Sequence, residues 1–306
     1  MTFTAKDVKA LREKTGVGMM ECKKALASSD GDMDKAIELL REKGLAAAAK
    51  KSSRIAAEGV VLAKVDEATK VGVIIEVNSE TDFVAKNEQF MEFVDSCATT
   101  VAANKPADVD ALLKLQAAGM DRTVEEELRD KILTIGENLK IRRFAYAEGT
   151  VCTYVHGDGR IGVMVTFDSD LGDKEAFQEY AKDVAMQIAA INPLYLDETV
   201  VPADVIEKEK EILKAQIAND EKLKNKPEKI IVKMVDGKIG KYYKENCLID
   251  QPFVKNGDVT VGQYTENTAK ELGGSIKITG FVRYEKGEGL EKREDNFADE
   301  VAGMVK

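Results

Sequence analysis

The sequence predicts an α+β protein. It reads as an N-terminal three-helix bundle, then two duplicated subdomains with three-stranded antiparallel sheets and packed helices, plus a projecting antiparallel helical hairpin. Three observations lead there. Helical periodicity fills the first 45 residues, a strand pair followed by a helix occurs twice, and a charged insertion carries a narrow apolar seam. At 306 residues the chain exceeds what one compact core usually holds, so several domains are expected.

Residues 1–45 hold the three short helices. The first carries Val8, Leu11 and Arg12 and stops at Thr15-Gly16-Val17-Gly18. The second carries Met19, Met20, Cys22, Ala25 and Leu26 and ends near Ser28-Ser29-Asp30-Gly31. The third opens at Asp32, buries Ala36, Ile37, Leu39 and Leu40, and is expected to stop at Gly44. In size and pattern this module resembles the ubiquitin-associated three-helix fold. Residues 46–54, AAAAKKSSR, lack apolar periodicity and carry three positive charges, which suits a basic, helix-prone, semi-stiff tether.

The repeat begins after the tether. Ala57-Glu58-Gly59 returns as Ala147-Glu148-Gly149, and at the same offset Val61, Gly72 and Val73 match Val151, Gly162 and Val163. Phe90 and Phe93 match Phe177 and Tyr180 in the helix that follows each strand pair. A strand pair alone is marginal. The stretch from Ile141 to Tyr146 supplies a third strand to the first copy, and that from Ile276 to Tyr284 to the second. The subdomains are therefore placed at 55–146 and 147–290. The second contains a helical insertion at about 202–245, with a first helix to about Asn225, a break at Lys224-Asn225-Lys226-Pro227, and a second helix. Its expected seam is Ile206, Ile212, Leu213 and Ile217 against Ile230, Ile231, Met234, Val235 and Ile239. Two uses fit such a hairpin, self-association into a homodimer and contact with a partner. Residues 291–306 pattern as an amphipathic helix with Phe297, Val301, Met304 and Val305.

Composition narrows the function. The net charge is −10, but residues 1–54 hold 12 Lys/Arg against 8 Asp/Glu, so the remaining body carries −14. Such a body repels phosphate backbones, and direct nucleic-acid binding is not expected, although the basic first module keeps a nucleic-acid-associated factor as an alternative. No apolar run is long enough for a membrane span and no signal-peptide pattern opens the chain. Four widely separated cysteines suit reduced thiols in a cytosolic compartment. His156 is the only histidine and there is no glycine-rich phosphate loop or nucleophile turn, so neither an enzyme activity nor a cofactor site is read here. A hydrolase centred on His156 would lack a nucleophile, and an adaptor built on the first bundle would leave residues 55–306 without a role.

One stretch stands apart. Thr81-Asp82-Phe83-Val84 lies between the apolar run ending at Val77 and the helix carrying Phe90. Seven-residue spacing from Phe90 allows Phe83 to be core. A capping pair of Ser79 and Asp82 would instead put it in the helix's first turn, out of the apolar stripe and free to anchor a partner. The second copy builds the same junction as Asp168-Ser169-Asp170-Leu171-Gly172-Asp173, so the acid–aromatic pair is not demanded by the fold. His156 sits in a glycine-flanked turn and should be exposed, and Gly136 ends a helix.

Together these segments resemble the bacterial elongation factor Ts family over essentially the whole chain. The most specific are the run from Leu11 to Leu26 and Thr81-Asp82-Phe83-Val84-Ala85-Lys86. Ile135-Gly136-Glu137-Asn138, Ile141-Arg142-Arg143, His156-Gly157, Gln251-Pro252-Phe253 and Phe281-Val282-Arg283-Tyr284 add to them. The resemblance implies an exchange factor for the GTPase elongation factor Tu, acting beside its magnesium site. Carried over, Phe83 would wedge between partner side chains, Asp82 would help fix the altered geometry, and Thr81 and Val84 would complete the segment. Ile135, Gly136 and His156 would line the same contact or press on the phosphate loop. Arg12, Met19, Met20 and Lys23 would dock on the GTPase domain, and Met234 and Val235 would hold a further surface.

Overall fold

The structure, a computed structural model, describes residues 3–223 and 226–291. The chain opens with α1 (Ala5–Thr15), α2 (Met19–Ser28) and α3 (Met33–Lys51). Next come β1 (Glu58–Val65), β2 (Gly72–Ser79), α4 (Glu88–Asn104), α5 (Val109–Lys114), α6 (Val124–Ile135) and β3 (Lys140–Ala147). It continues with β4 (Thr150–His156), β5 (Ile161–Ser169), α7 (Glu175–Ile191), α8 (Ala203–Asn219) and α9 (Glu228–Asn246). The last described elements are β6 (Pro252–Phe253), β7 (Asn256–Thr260), α10 (Val261–Leu272) and β8 (Ile276–Glu285).

In the bundle, Thr4 and Asp7 exchange bonds in a capping box that starts α1, and the Asp32 carboxylate accepts from the Asp34 and Lys35 N–H groups to start α3. Leu11, Cys22, Leu26 and Ala36 are wholly buried between the helices. α3 does not stop at Gly44 as expected. It runs on through the alanines to Lys51, so the stretch 46–51 is helix and not a separate link. Glycine in a helix interior costs about 1 kcal/mol, but here the helix is held by its packing along α6. A Cβ at Gly44 would lie 3.7 Å from the Arg129 carbonyl. Leu133 of α6 packs against the bundle's own core, and the Lys51 ammonium donates to the Ile132 carbonyl at 3.1 Å.

The two sheets have the orders β1-β2-β3 and β4-β5-β8, all antiparallel. Both carry a bulge at the same place in the repeat, between Glu76 and Val77 and between Thr166 and Phe167. One face of the first sheet packs on α4 through Val73, Ile75 and Val77 against Phe90, Phe93, Val94 and Val101. One face of the second packs on α7 through Val163, Val165 and Phe167 against Phe177, Tyr180, Val184 and Ile188. The other faces meet each other, with Val61, Ala63, Ile74 and Met164 buried between the sheets. The order of layers is thus helix, sheet, sheet, helix, and β2 is buried along its whole length. The paired glycines explain how the sheets come so close. A Cβ at Gly72 would lie 2.4 Å from Val151 Cγ1, and one at Gly162 would lie 2.5 Å from Val61 Cγ1. These four residues are the matched positions of the repeat.

The duplication also extends further than the strand pairs. α6 and α10 both begin with a threonine capping box, Thr123 with Glu126 and Thr260 with Gln263, and both end on a left-handed glycine, Gly136 and Gly273. Each then leads into the third strand of its sheet. α5, α10 and the β6–β7 ribbon were not assigned from sequence.

In the helical hairpin, Leu213 and Ile217 of α8 meet Val235 and Ile239 of α9, with Ile206, Ile231 and Met234 at the margins. Two expectations fail there. α8 ends at Asn219 and not near Asn225, and Ile212 and Ile230 are exposed. Each directly precedes a seam residue, and one step rotates a side chain about 100° away from a seam only one ridge wide. The helix expected over 291–306 lies outside the described residues apart from Glu291. No helix among the described residues is long and apolar enough to cross a membrane.

Candidate partner-contact site

The site begins where β2 ends. The Ser79 hydroxyl donates to the Thr81 carbonyl at 2.8 Å. The backbone N–H groups of Glu80 and Thr81 donate to Glu137 Oε2 at 3.0 and 2.9 Å, and the Thr81 hydroxyl donates to Glu137 Oε1 at 2.6 Å. In return, Glu80 Oε1 accepts from the Asn138 N–H at 2.6 Å and from Arg54 at 3.3 Å, while the Asn138 amide donates to the Arg54 carbonyl at 2.8 Å. The loop after β2 and the loop after α6 therefore clasp each other from both sides.

Residues Val84–Lys86 then form one 3-10 turn, closed by bonds from the Ala85, Lys86 and Asn87 N–H groups to the carbonyls of Asp82, Phe83 and Val84. Val84 is 6% exposed and belongs to the first core, whereas Phe83 is 81% exposed. The core reading of Phe83 is thereby excluded. The expected cap is also corrected. Ser79 and Asp82 do not start α4. Asn87 does, its side-chain oxygen accepting from the Phe90 N–H at 3.2 Å. The chain needs both Val84 and Phe90 in one core, and a 3-10 turn before the cap satisfies both while turning Phe83 outward. The Asp82 side chain is exposed and makes no hydrogen bond or ion pair with the described residues.

Gly136 caps α6 at φ 89°, its N–H donating to the Ile132 carbonyl, and Ile135 is half-buried against the first core. Because Glu137 follows directly, Ile135 and Gly136 are brought beside Thr81. His156 closes β4 and is exposed, with Nδ1 3.0 Å from the Tyr154 hydroxyl. No hydrogen bond or ion pair joins it to Thr81–Val84. The turn that follows it touches β1, where the Val61 N–H donates to the Gly159 carbonyl at 2.8 Å and Glu58 pairs with Ser79.

The remaining candidates lie elsewhere. Arg12, Met19, Met20 and Lys23 are all exposed on α1 and α2, giving the bundle an apolar and cationic face of its own. Val235, at 3% exposure, is closed inside the hairpin seam and is out of a partner's reach while the hairpin is intact, and Met234 is half-buried. Glu137, Glu80, Arg54 and Asn138 were missed as a group. The available signal was the Glu137-Asn138 pair directly after a capping glycine.

Three of the thiols are poor nucleophiles. Burial pushes Cys152 and Cys247 each up to about 11 and raises Cys97 further. What the site offers is a presented ring, a free carboxylate and a loop held by a dense set of hydrogen bonds.

The family model described as Elongation factor TS matches residues 80–288, a span that opens at the clasped loop. The chain is 53% identical over 305 residues to the Elongation factor Ts of Clostridium perfringens (strain 13 / Type A), covering 99% of each. It is 52% identical over 302 residues to that of Clostridium novyi (strain NT), covering 97% of each. To that of Syntrophotalea carbinolica it is 48% identical over 309 residues, covering 100% of each.

Proposed function

The chain belongs to the elongation factor Ts family, a family of translation elongation factors, and from that premise we propose that it is a nucleotide exchange factor for the GTPase elongation factor Tu. It grips the GTPase, displaces magnesium and promotes GDP release. The observation that carries this reading is Phe83, a large apolar ring 81% exposed beside the buried Val84. Set beside an unpaired carboxylate on a loop held by Glu137, an exposed ring of this size suits an anchor that a partner pocket receives.

Exchange of this kind requires no bond-making chemistry from the factor. It must bind the nucleotide-free GTPase more tightly than the loaded one, and linkage then obliges it to weaken nucleotide binding by the same factor. Magnesium joins protein and phosphate oxygens, so disturbing its site removes much of the nucleotide's affinity. In this role Phe83 wedges between partner side chains and the unpaired Asp82 carboxylate engages polar groups beside it. Thr81 and Val84 hold the pair out. Ile135, Gly136 and His156 contribute nearby contacts, and Arg12, Met19, Met20 and Lys23 dock the bundle as a separate grip.

The test is release of a fluorescent GDP from elongation factor Tu, followed by stopped flow with saturating wild-type chain or Phe83→Ala. The alanine variant is expected to lose about 2 kcal/mol of coupling, roughly thirtyfold in release rate. An undiminished rate with Phe83→Ala overturns the wedge.

A further inference from the structure

The two copies of the duplicated frame hold their equivalent junctions differently, and the difference coincides with Phe83. In the first copy Glu80 accepts from the Asn138 N–H at 2.6 Å; in the second, Asp170 accepts from the Ser275 N–H at 2.7 Å. This half of the clasp is common to both and serves the fold. The other half is not. Glu137 makes three bonds to Glu80 and Thr81 in the first copy. Its counterpart after α10 is Gly274, and the counterpart of Thr81 is Leu171. Leu171 is buried in the second core, and a Cβ at Gly274 would lie 2.5 Å from its Cδ2. The second junction is thus closed by an apolar side chain over a glycine and by Ser169, whose hydroxyl accepts from the Leu171 N–H at 3.1 Å and donates to the Ser275 carbonyl at 2.7 Å, with no carboxylate arm from the loop after α10. The fold alone can be built without Glu137.

We propose that Glu137 is a positioning residue for exchange, one that acts through Phe83 by fixing the backbone of Thr81 before the partner arrives. The inference rests on the reading of Phe83 as the wedge. A carboxylate that accepts two N–H bonds and a hydroxyl bond defines where the chain leaves β2, and Val84 in the core defines where it re-enters. Phe83 lies between those two fixed points. Ordering a loop on binding draws on the binding energy, and a loop already ordered spares that energy for displacing nucleotide.

The experiment is a double-mutant cycle on fluorescent-GDP release from elongation factor Tu, with Glu137→Ala, Phe83→Ala and the double variant titrated to saturation. Glu137→Ala is expected to lower the saturating release rate about tenfold, the scale of one charge-assisted hydrogen bond. In the Phe83→Ala background the same change should have less than about a twofold effect, because nothing is left to position. Glu137→Gln keeps the side-chain volume and one acceptor oxygen, and is used if the alanine variant unfolds; a loss smaller than tenfold, again confined to the chains with Phe83, supports the proposal. A general loss of structure would act equally in both backgrounds. An equal effect in both, or no effect of either Glu137 variant while Phe83→Ala is impaired, overturns the positioning role alone. An unimpaired Phe83→Ala overturns the wedge reading and this proposal with it.

Discussion

Phe83 and Val84 are sequence neighbours with opposite surroundings. Val84 fills the core between the first sheet and α4, while the Phe83 ring stands in water. Their truncations should therefore have opposite consequences. Val84→Ala is expected to cost about 2 kcal/mol in urea unfolding, and Phe83→Ala to stay within about 0.5 kcal/mol of wild type. A large loss of stability with Phe83→Ala would mean that the ring is core after all. At this scale the sequence was partly legible. It placed Phe83 at a strand–helix junction, and the Leu171-Gly172-Asp173 counterpart argued that the aromatic is an addition to the frame. It did not place the cap, because Ser79, Asp82 and Asn87 all satisfy local capping rules. Only the need to bury Val84 and Phe90 together selects Asn87. Nor could it show the bond from Thr81 to Glu137, since a single contact between side chains 56 positions apart leaves no periodic trace.

At the scale of elements, the two sheets come closest to each other at the paired glycines. Val61 faces Gly162 and Val151 faces Gly72, the same pairing made twice by the duplicated frame. Gly162→Ala is expected to cost about 1–3 kcal/mol by overpacking. Adding Val61→Ala should recover part of that loss in the same urea measurement, because it removes the methyl groups in the way. If Gly162→Ala is as stable as wild type, the sheets are not in contact there. The repeat itself was visible as matched residues, yet its meaning was not. The continuous apolar run through β2 implies cover on both faces, but only the folded arrangement shows that the second cover is the other sheet. The extent of α3 was missed for a related reason. Gly44 is a local stop signal, overridden because α3 packs along α6 beyond it.

At the scale of the whole molecule, the buried Glu76 carboxylate ties the two sheets together. It accepts from Arg142 at 2.9 Å, Arg143 at 2.6 Å, Asn78 at 3.1 Å and, beyond β8, the Gly287 N–H at 2.8 Å. Burial alone would raise its pKa, but the Gly287, Asn78 and arginine bonds outweigh burial and hold it below the ordinary value of 4.5. A group depressed on folding contributes stability that is fully present above its unfolded pKa and is lost as pH falls through the folded one. Wild type should therefore lose stability progressively below pH 4.5. Glu76→Gln should start about 2 kcal/mol lower at neutral pH, because it takes the carboxylate away from the half-buried Arg142 and Arg143, and should show a shallower decline on acidification. Equal acid slopes in urea titrations of the two proteins would remove Glu76 from that role. At this scale the duplicated plan was legible, whereas the joint between the copies was not: an arginine pair and a glutamate in alternating strands look like ordinary surface charge until the second sheet covers them. The frame so joined carries the clasped loop, which we propose drives nucleotide from a GTPase. The most direct measurement is release of fluorescent GDP from elongation factor Tu against increasing concentrations of the wild-type chain. The release rate is expected to rise with the chain and saturate, and a rate indistinguishable from spontaneous release at every concentration would rule the exchange role out.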